Sequence, residues 1–229
     1  MTITISEDIT GNNESYNKVI HSENVVDDNN IWINFIHNAA QQINTPEPKH
    51  IVELGCGFGN LVIPCWEKGF NITAIDSNPI ALEHVSKATH GHAATICLDF
   101  LSSSIPNEGD IYVIRSCLLN GFDTNKKALL MSGLTSSVRS GGIVITEIFD
   151  PLFLQDNSKF INNFQQVELE STGLKQFIIK IYHRNLDILV RELIYSVSLK
   201  QAIELFKGFQ LLAVHQATPL TLALFFCRE

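Results

Sequence analysis

Val52-Glu53-Leu54-Gly55-Cys56-Gly57-Phe58-Gly59 is the stretch whose reading decides the fold. His50–Leu54 is a short run rich in apolar and β-branched residues and reads as a strand; a glycine turn follows, and Asn60–Lys68 reads as a helix closed by Gly69. Glycines at alternate positions permit positive φ and let a ligand approach the backbone with no Cβ in the way. Strand, glycine turn and helix in this order open an α/β sheet, whose ligand crevice lies at the carboxyl ends of its strands.

Working outward, the alternation continues. Strands are predicted at 71–75, 94–98, 110–114 and 143–148, with helices at 79–87 and 125–139 and a turn at Gly141-Gly142. Near-continuous apolar strands separated by helices predict a parallel sheet covered on both faces. Upstream, Ile31, Trp32, Phe35, Ile36, Ala39, Ala40 and Ile43 recur at helical spacing, and Thr45-Pro46-Glu47-Pro48 stops that helix. Beyond Asp150-Pro151 the pattern changes to three antiparallel strands, 165–171, 175–184 and 188–196, an insertion spanning about 160–196. A helix over 198–207 with Ser198 as N-cap and Gly208 at its end precedes two last strands, 210–215 and 220–227.

The chain of 229 residues is 45% hydrophobic and 17% charged, which excludes a disordered chain and suffices for a full core. Its net charge of −8 is lopsided: residues 1–30 hold Glu7, Asp8, Glu14, Glu23, Asp27 and Asp28 against Lys18 alone, so −5 lies there. No basic footprint for nucleic acid or an anionic membrane is present. The first ten residues lack the basic and apolar regions of a secretory signal, and the longest apolar runs, such as Leu220–Cys227, are strand-length. Five cysteines, most of them assigned to strands or helices and none in a CxxC pair, suit a reducing cytoplasm. Residues 1–28 read as an acidic mobile arm ahead of one domain, 29–229.

Two readings compete for the glycine turn. A dinucleotide-binding turn needs GxGxxG, but position 60 is Asn and the third glycine comes early, at Gly59. Glu53 would place a negative charge beside a phosphate; it suits a ligand bearing an ammonium. The stretch resembles motif I of the class I S-adenosylmethionine-dependent methyltransferases. Asp76 ends the second strand, where that family keeps an acid for the ribose hydroxyls. Asp99-Phe100 follows the third, where it places an acid near the adenine amino group and an apolar neighbour on the ring. Gly109–Ile114 resembles the family's fourth strand, and Arg139-Ser140-Gly141-Gly142 its Pro-Gly-Gly turn, with Ser in place of Pro.

The resemblance covers about residues 45–150 and the terminal helix and strand pair. It implies a Rossmann-like seven-stranded, mostly parallel sheet with helices on both faces plus the small antiparallel insertion. It also implies S-adenosyl-L-methionine as cofactor, held by Glu53, Gly55, Cys56, Gly57, Gly59, Asp76, Ser77, Asp99, Phe100 and Arg115. The chain departs from the pattern at Arg115-Ser116, where relatives vary. It has no Asn-Pro-Pro-Tyr or Asp-Pro-Pro-Tyr tetrad, which argues against methylation of nucleobases or glutamine. Cys56 reads as a small filler and not a nucleophile. His84, His90 and His92 read as solvent-facing residues, with no metal site expected.

No general base stands in a diagnostic spacing. Tyr16, Trp32, Glu147, Tyr182 and His183 are the candidates for contacting the acceptor. The short chain, the acidic balance and the inserted lid predict methyl transfer to N or O of a small molecule, an amine included. A peptide or protein N-methyltransferase and a non-catalytic S-adenosylmethionine-binding protein are the alternatives; a nicotinamide-dependent oxidoreductase fits the glycine spacing worst. The expected partners are a small-molecule acceptor, no nucleic acid and no membrane, with the chain a monomer or homodimer in the cytoplasm. For the arm, two readings stay open: a lid favouring a cationic acceptor, or a solvated tail.

Overall fold

The computed structural model describes residues 3–6, 26–44, 49–149, 159–161, 165–173, 176–183, 188–218 and 221–229. In chain order the elements are β1 (Ile3–Ser6), α1 (Val26–Gln42), β2 (His50–Leu54), α2 (Val62–Glu67), β3 (Asn71–Asp76), α3 (Pro79–Ala88), β4 (Ala94–Cys97) and β5 (Ile111–Ile114). A 3₁₀ turn at Leu118–Gly121 leads to α4 (Thr124–Ser137) and β6 (Ile143–Phe149). There follow β7 (Lys159–Ile161), β8 (Gln165–Gly173), β9 (Gln176–His183), β10 (Ile188–Tyr195), α5 (Leu199–Leu205), β11 (Phe209–Thr218) and β12 (Thr221–Arg228).

Seven strands form one sheet in the order β11-β12-β6-β5-β2-β3-β4. β2 pairs in parallel with both β3 and β5, β5 with β6, and β3 with β4, whereas β12 runs antiparallel to β6 and β11 antiparallel to β12. Strand order therefore reverses at β2: the chain winds outward through β3 and β4, then returns to the other side of β2 with β5. Such a reversal opens a crevice at the carboxyl ends of the central strands. The mostly parallel sheet with its inserted antiparallel strands agrees with the architecture expected from the sequence.

Helices cover both faces. Trp32, Phe35, Ile36 and Ala39 of α1, Val62 and Cys65 of α2 and Leu82 and Val85 of α3 pack with Ile51, Val113 and Ile145. Leu130, Met131 and Leu134 of α4 and Ala202 of α5, with Phe206 just beyond it, pack on the other face with Val52, Leu54, Tyr112, Ile114, Val144 and Ile148. Consecutive strand residues thus go to opposite cores, as buried parallel strands require. Ser198 caps α5 in a capping box with Gln201, and Gly208 beyond it takes φ +87°.

The insertion differs from the three strands expected. It belongs to a five-stranded sheet, β1-β10-β9-β8-β7, in which β1 pairs in parallel with β10, Ile3 opposite Ile188. A four-residue strand inside a polar, acidic segment carries too short an alternation to register locally; its pairing partner lies at the other end of the chain. Within residues 1–28 the structure thus describes β1 and the first residues of α1, and the rest, Tyr16 included, lies outside the described residues. So do the proline turn at 45–48, Asp150-Pro151 and residues 184–187. No helix among the described residues is long and apolar enough to cross a membrane.

Candidate active site

The glycine turn is held by the strand beside it. Gly55 and Cys56 donate their N–H groups to the Ile75 carbonyl at 2.8 and 3.1 Å. Gly57, at φ +51°, donates to Asp76 Oδ2 at 2.8 Å, and Asn78 donates to Asp76 Oδ1 at 2.8 Å. Asp76 therefore organises the turn itself. Each of its oxygens accepts one N–H and retains a lone pair for a further donor, as ribose recognition requires. Gly59, at φ +80°, sits where a Cβ would come within 2.7 Å of Val85 Cγ2, so glycine is what lets the start of α2 lie against α3.

Cys56 turns its side chain into the core, with its Sγ on the Gly57 carbonyl at 3.5 Å. Burial first, then the charges of Glu53 and Asp76, hold its thiol well above the ordinary range, which suits a filler. Cys117 lies in left-handed backbone at φ +52° after β5. All five cysteines are free thiols.

Glu53, next to last in β2, has 3% of its surface exposed. Desolvation raises its carboxyl from 4.5 to about 8, against the opposing Arg115 charge and the N–H bond from Val62, while Asp76 adds to the rise. Its Oε2 has no hydrogen-bond partner among the described residues. Arg115, just past β5, lies with its guanidinium carbon 4.9 Å from the centre of the Trp32 ring, and its Nη1 donates to Asn29 Oδ1 at 3.4 Å. Trp32 is fully buried, and its Nε1 likewise has no partner among the described residues. A buried acceptor on β2 and a buried donor on α1, each without a partner among the described residues, thus lie beside Arg115. Such atoms are costly unless a ligand meets them.

On the next strand, Glu147 is buried, with Oε2 accepting the Ser116 N–H and Oε1 the Thr221 hydroxyl, both at 2.7 Å. Strand alternation puts Glu53, Arg115 and Glu147 on the α1 side of the sheet, at the carboxyl ends of β2, β5 and β6. Past β4, Asp99 is exposed and spends its carboxylate on its own turn, accepting from the Leu101 N–H and the Ser102 hydroxyl, both at 3.0 Å. Phe100 is buried with its ring 6.4 Å from Phe122. Ser77 is exposed at the end of β3.

Tyr182 and His183 lie on β9, paired with Leu189 and Ile188 of β10. Exposed His90 and His92 make ring contacts with Trp66, and His84 meets Phe58. No group of three or more metal-ligating side chains occurs among the described residues. Sequence reasoning missed Asn29, Asn120 and Thr221, polar residues whose partners are distant in the chain and which carry no local signal.

No protein-family model matches the sequence, and no curated protein is significantly similar to it. Solved structures match in fold. An S-adenosylmethionine-dependent methyltransferase from Clostridium acetobutylicum superposes with a TM-score of 0.73 at 16% identity over 94% of this chain and 100% of its own. The CcbJ methyltransferase from Streptomyces caelestis gives 0.70 at 11% identity, covering 88% and 90% of the two chains. The glycopeptide N-methyltransferase MtfA, in complex with S-adenosyl-L-methionine, gives 0.61 at 14% identity over 85% and 92%. The chain therefore has the fold of the class I S-adenosylmethionine-dependent methyltransferases.

Proposed function

We propose that the protein is an S-adenosyl-L-methionine-dependent methyltransferase acting on N or O of a small-molecule acceptor. The observation that carries the reading is Glu53: a buried carboxyl with one oxygen unpartnered among the described residues, beside Arg115, at the switch point of a sheet with this fold. A bound ammonium would satisfy that oxygen, and the buried Trp32 N–H suits a carboxylate. One zwitterionic amino-acid end, such as this cofactor carries, offers both. The positive-φ turn Gly55–Gly59 leaves backbone open to close approach; we assign Asp76 to the ribose hydroxyls and Asp99 and Phe100 to the adenine, with Ser77 as a further cofactor contact.

The cofactor supplies an activated methyl group on a sulfonium. The chain's own work is then to bind, align the acceptor lone pair and exclude water. α1 covers the Arg115 side of the crevice through Asn29 and Trp32. An amine acceptor needs only to arrive deprotonated, so N-methylation requires no general base from the chain. Tyr182 and His183 of the inserted sheet, and Tyr16 of the acidic arm, are the residues we assign to the acceptor side. The five free thiols fit a reducing, cytoplasmic setting.

Radiolabelled methyl from S-adenosylmethionine, supplied with a cell extract, should appear in the low-molecular-weight fraction. A peptide acceptor is the second reading, favoured by the likeness to a glycopeptide N-methyltransferase, and label in the peptide fraction would select it. Label only in large proteins or RNA overturns both. S-adenosylhomocysteine binding without any transfer would leave a non-catalytic binding protein.

A further inference from the structure

Ser116 and Cys117, at φ +54° and +52°, are consecutive non-glycine residues in left-handed backbone. Such residues are strained, and they persist where surrounding contacts over-determine them. Several contacts do so here. The Ser116 N–H donates to Glu147 Oε2 at 2.7 Å, the Leu118 N–H to the Arg115 carbonyl at 3.1 Å, and the Asn120 N–H to the Cys117 carbonyl at 2.7 Å. Asn120 then anchors the far end. Its fully buried amide donates to the carbonyls of Phe149 and Tyr195 at 3.0 and 2.8 Å and accepts from the Phe149 N–H at 2.9 Å.

Glu147 is itself braced. Its other oxygen takes the Thr221 hydroxyl, and Thr221 Oγ1 lies 2.8 Å from Thr218 Oγ1. A carboxylate held at both oxygens, with one on a backbone N–H, is built to hold geometry. We propose that Glu147 is a positioning residue: through the Ser116 N–H it keeps the turn after β5 left-handed and so sets Arg115 over the cofactor crevice. The proposal rests on the cofactor reading above.

The test is calorimetric titration of the full chain with S-adenosylhomocysteine, together with hydrogen exchange of the 115–121 amides. Glu147→Ala leaves the Ser116 N–H unmet and should weaken affinity about tenfold or more. Glu147→Gln should stay within about twofold of wild type, because its amide oxygen accepts from Ser116 while its NH₂ donates to Thr221, whose proton turns to Thr218. Adding Ser116→Gly to Glu147→Ala removes the left-handed penalty and should recover most of the affinity. Equal affinity in wild type and Glu147→Ala overturns the proposal, as does equal weakening by Ala and Gln, which would mark the charge and not the bond as what matters. If wild type binds no S-adenosylhomocysteine, the cofactor reading fails. Exchange still decides the positioning role: the 115–121 amides should open faster in Glu147→Ala alone, and unchanged exchange refutes it.

Discussion

On the proposed function, Glu53 should couple cofactor binding to protons. Burial lifts its carboxyl from 4.5 to about 8, so at neutral pH the unliganded protein holds it as the neutral acid. At about 1.4 kcal/mol for each tenfold change in proton affinity, that rise corresponds to about 5 kcal/mol against the carboxylate. An ammonium placed on Glu53 Oε2 favours the charged form, so binding should drive off close to one proton at pH 7. S-adenosylhomocysteine affinity should accordingly rise about tenfold per pH unit from pH 6 toward 8 and flatten above. Titration calorimetry in two buffers of different ionisation enthalpy measures both the affinity and the protons released. Glu53→Gln should abolish the slope and the release, and bind more weakly than wild type at pH 8.5. The stability of the unliganded protein runs the opposite way. A carboxyl raised in the native state contributes stability that is complete below about pH 4.5 and is lost as pH rises through about 8. The melting temperature should therefore fall across that window in wild type and less so in Glu53→Gln. A wild-type affinity independent of pH, or the same slope in Glu53→Gln, would refute the reasoning.

Gly59→Ala combines a φ of +80° with a 2.7 Å approach to Val85 and should cost about 2 to 4 kcal/mol in urea unfolding. Gly69→Ala, at φ +83° with nothing within 4 Å, should cost only about 1 to 2 kcal/mol. Asp76→Ala frees the Gly57 and Asn78 N–H groups and should weaken S-adenosylhomocysteine binding by about 1 to 3 kcal/mol while lowering the melting temperature; unchanged affinity would show the ribose contact to be elsewhere. Asn120→Ala breaks three buried bonds and should destabilise by about 3 kcal/mol, with faster proteolysis of the inserted sheet whose last strand it holds; a change under 1 kcal/mol, on the order of one surface bond, would argue against that anchor.

Much of the fold was readable because its signals are local. The strand at 50–54, the glycine turn and the helices opening at Pro79 and after Ser198 are each set by neighbours a few residues away, and the structure places them within a residue or two of expectation. β1 was not readable, because four residues acquire strand character only through pairing with β10. The roles at the crevice divide the same way. Glu53 and Asp76 stand in a motif, whereas Glu147, proposed from sequence as an acceptor contact, has its carboxylate occupied by Ser116 and by Thr221 from the last strand. Trp32, named from sequence as an acceptor contact, is a fully buried residue facing Arg115.

Sequence by itself determined the sheet, the turn and the acids at strand ends, since hydrophobic period and glycine placement act within a few residues. Only tertiary structure decided what surrounds those acids. It buried Glu53 beside an arginine, occupied Glu147 with backbone and hydroxyl donors, left Asp99 in solvent and drew residues 3–6 into the inserted sheet. Burial, and with it the charge a carboxyl carries at neutral pH, depends on which strands lie side by side, and that order is a property of the folded chain.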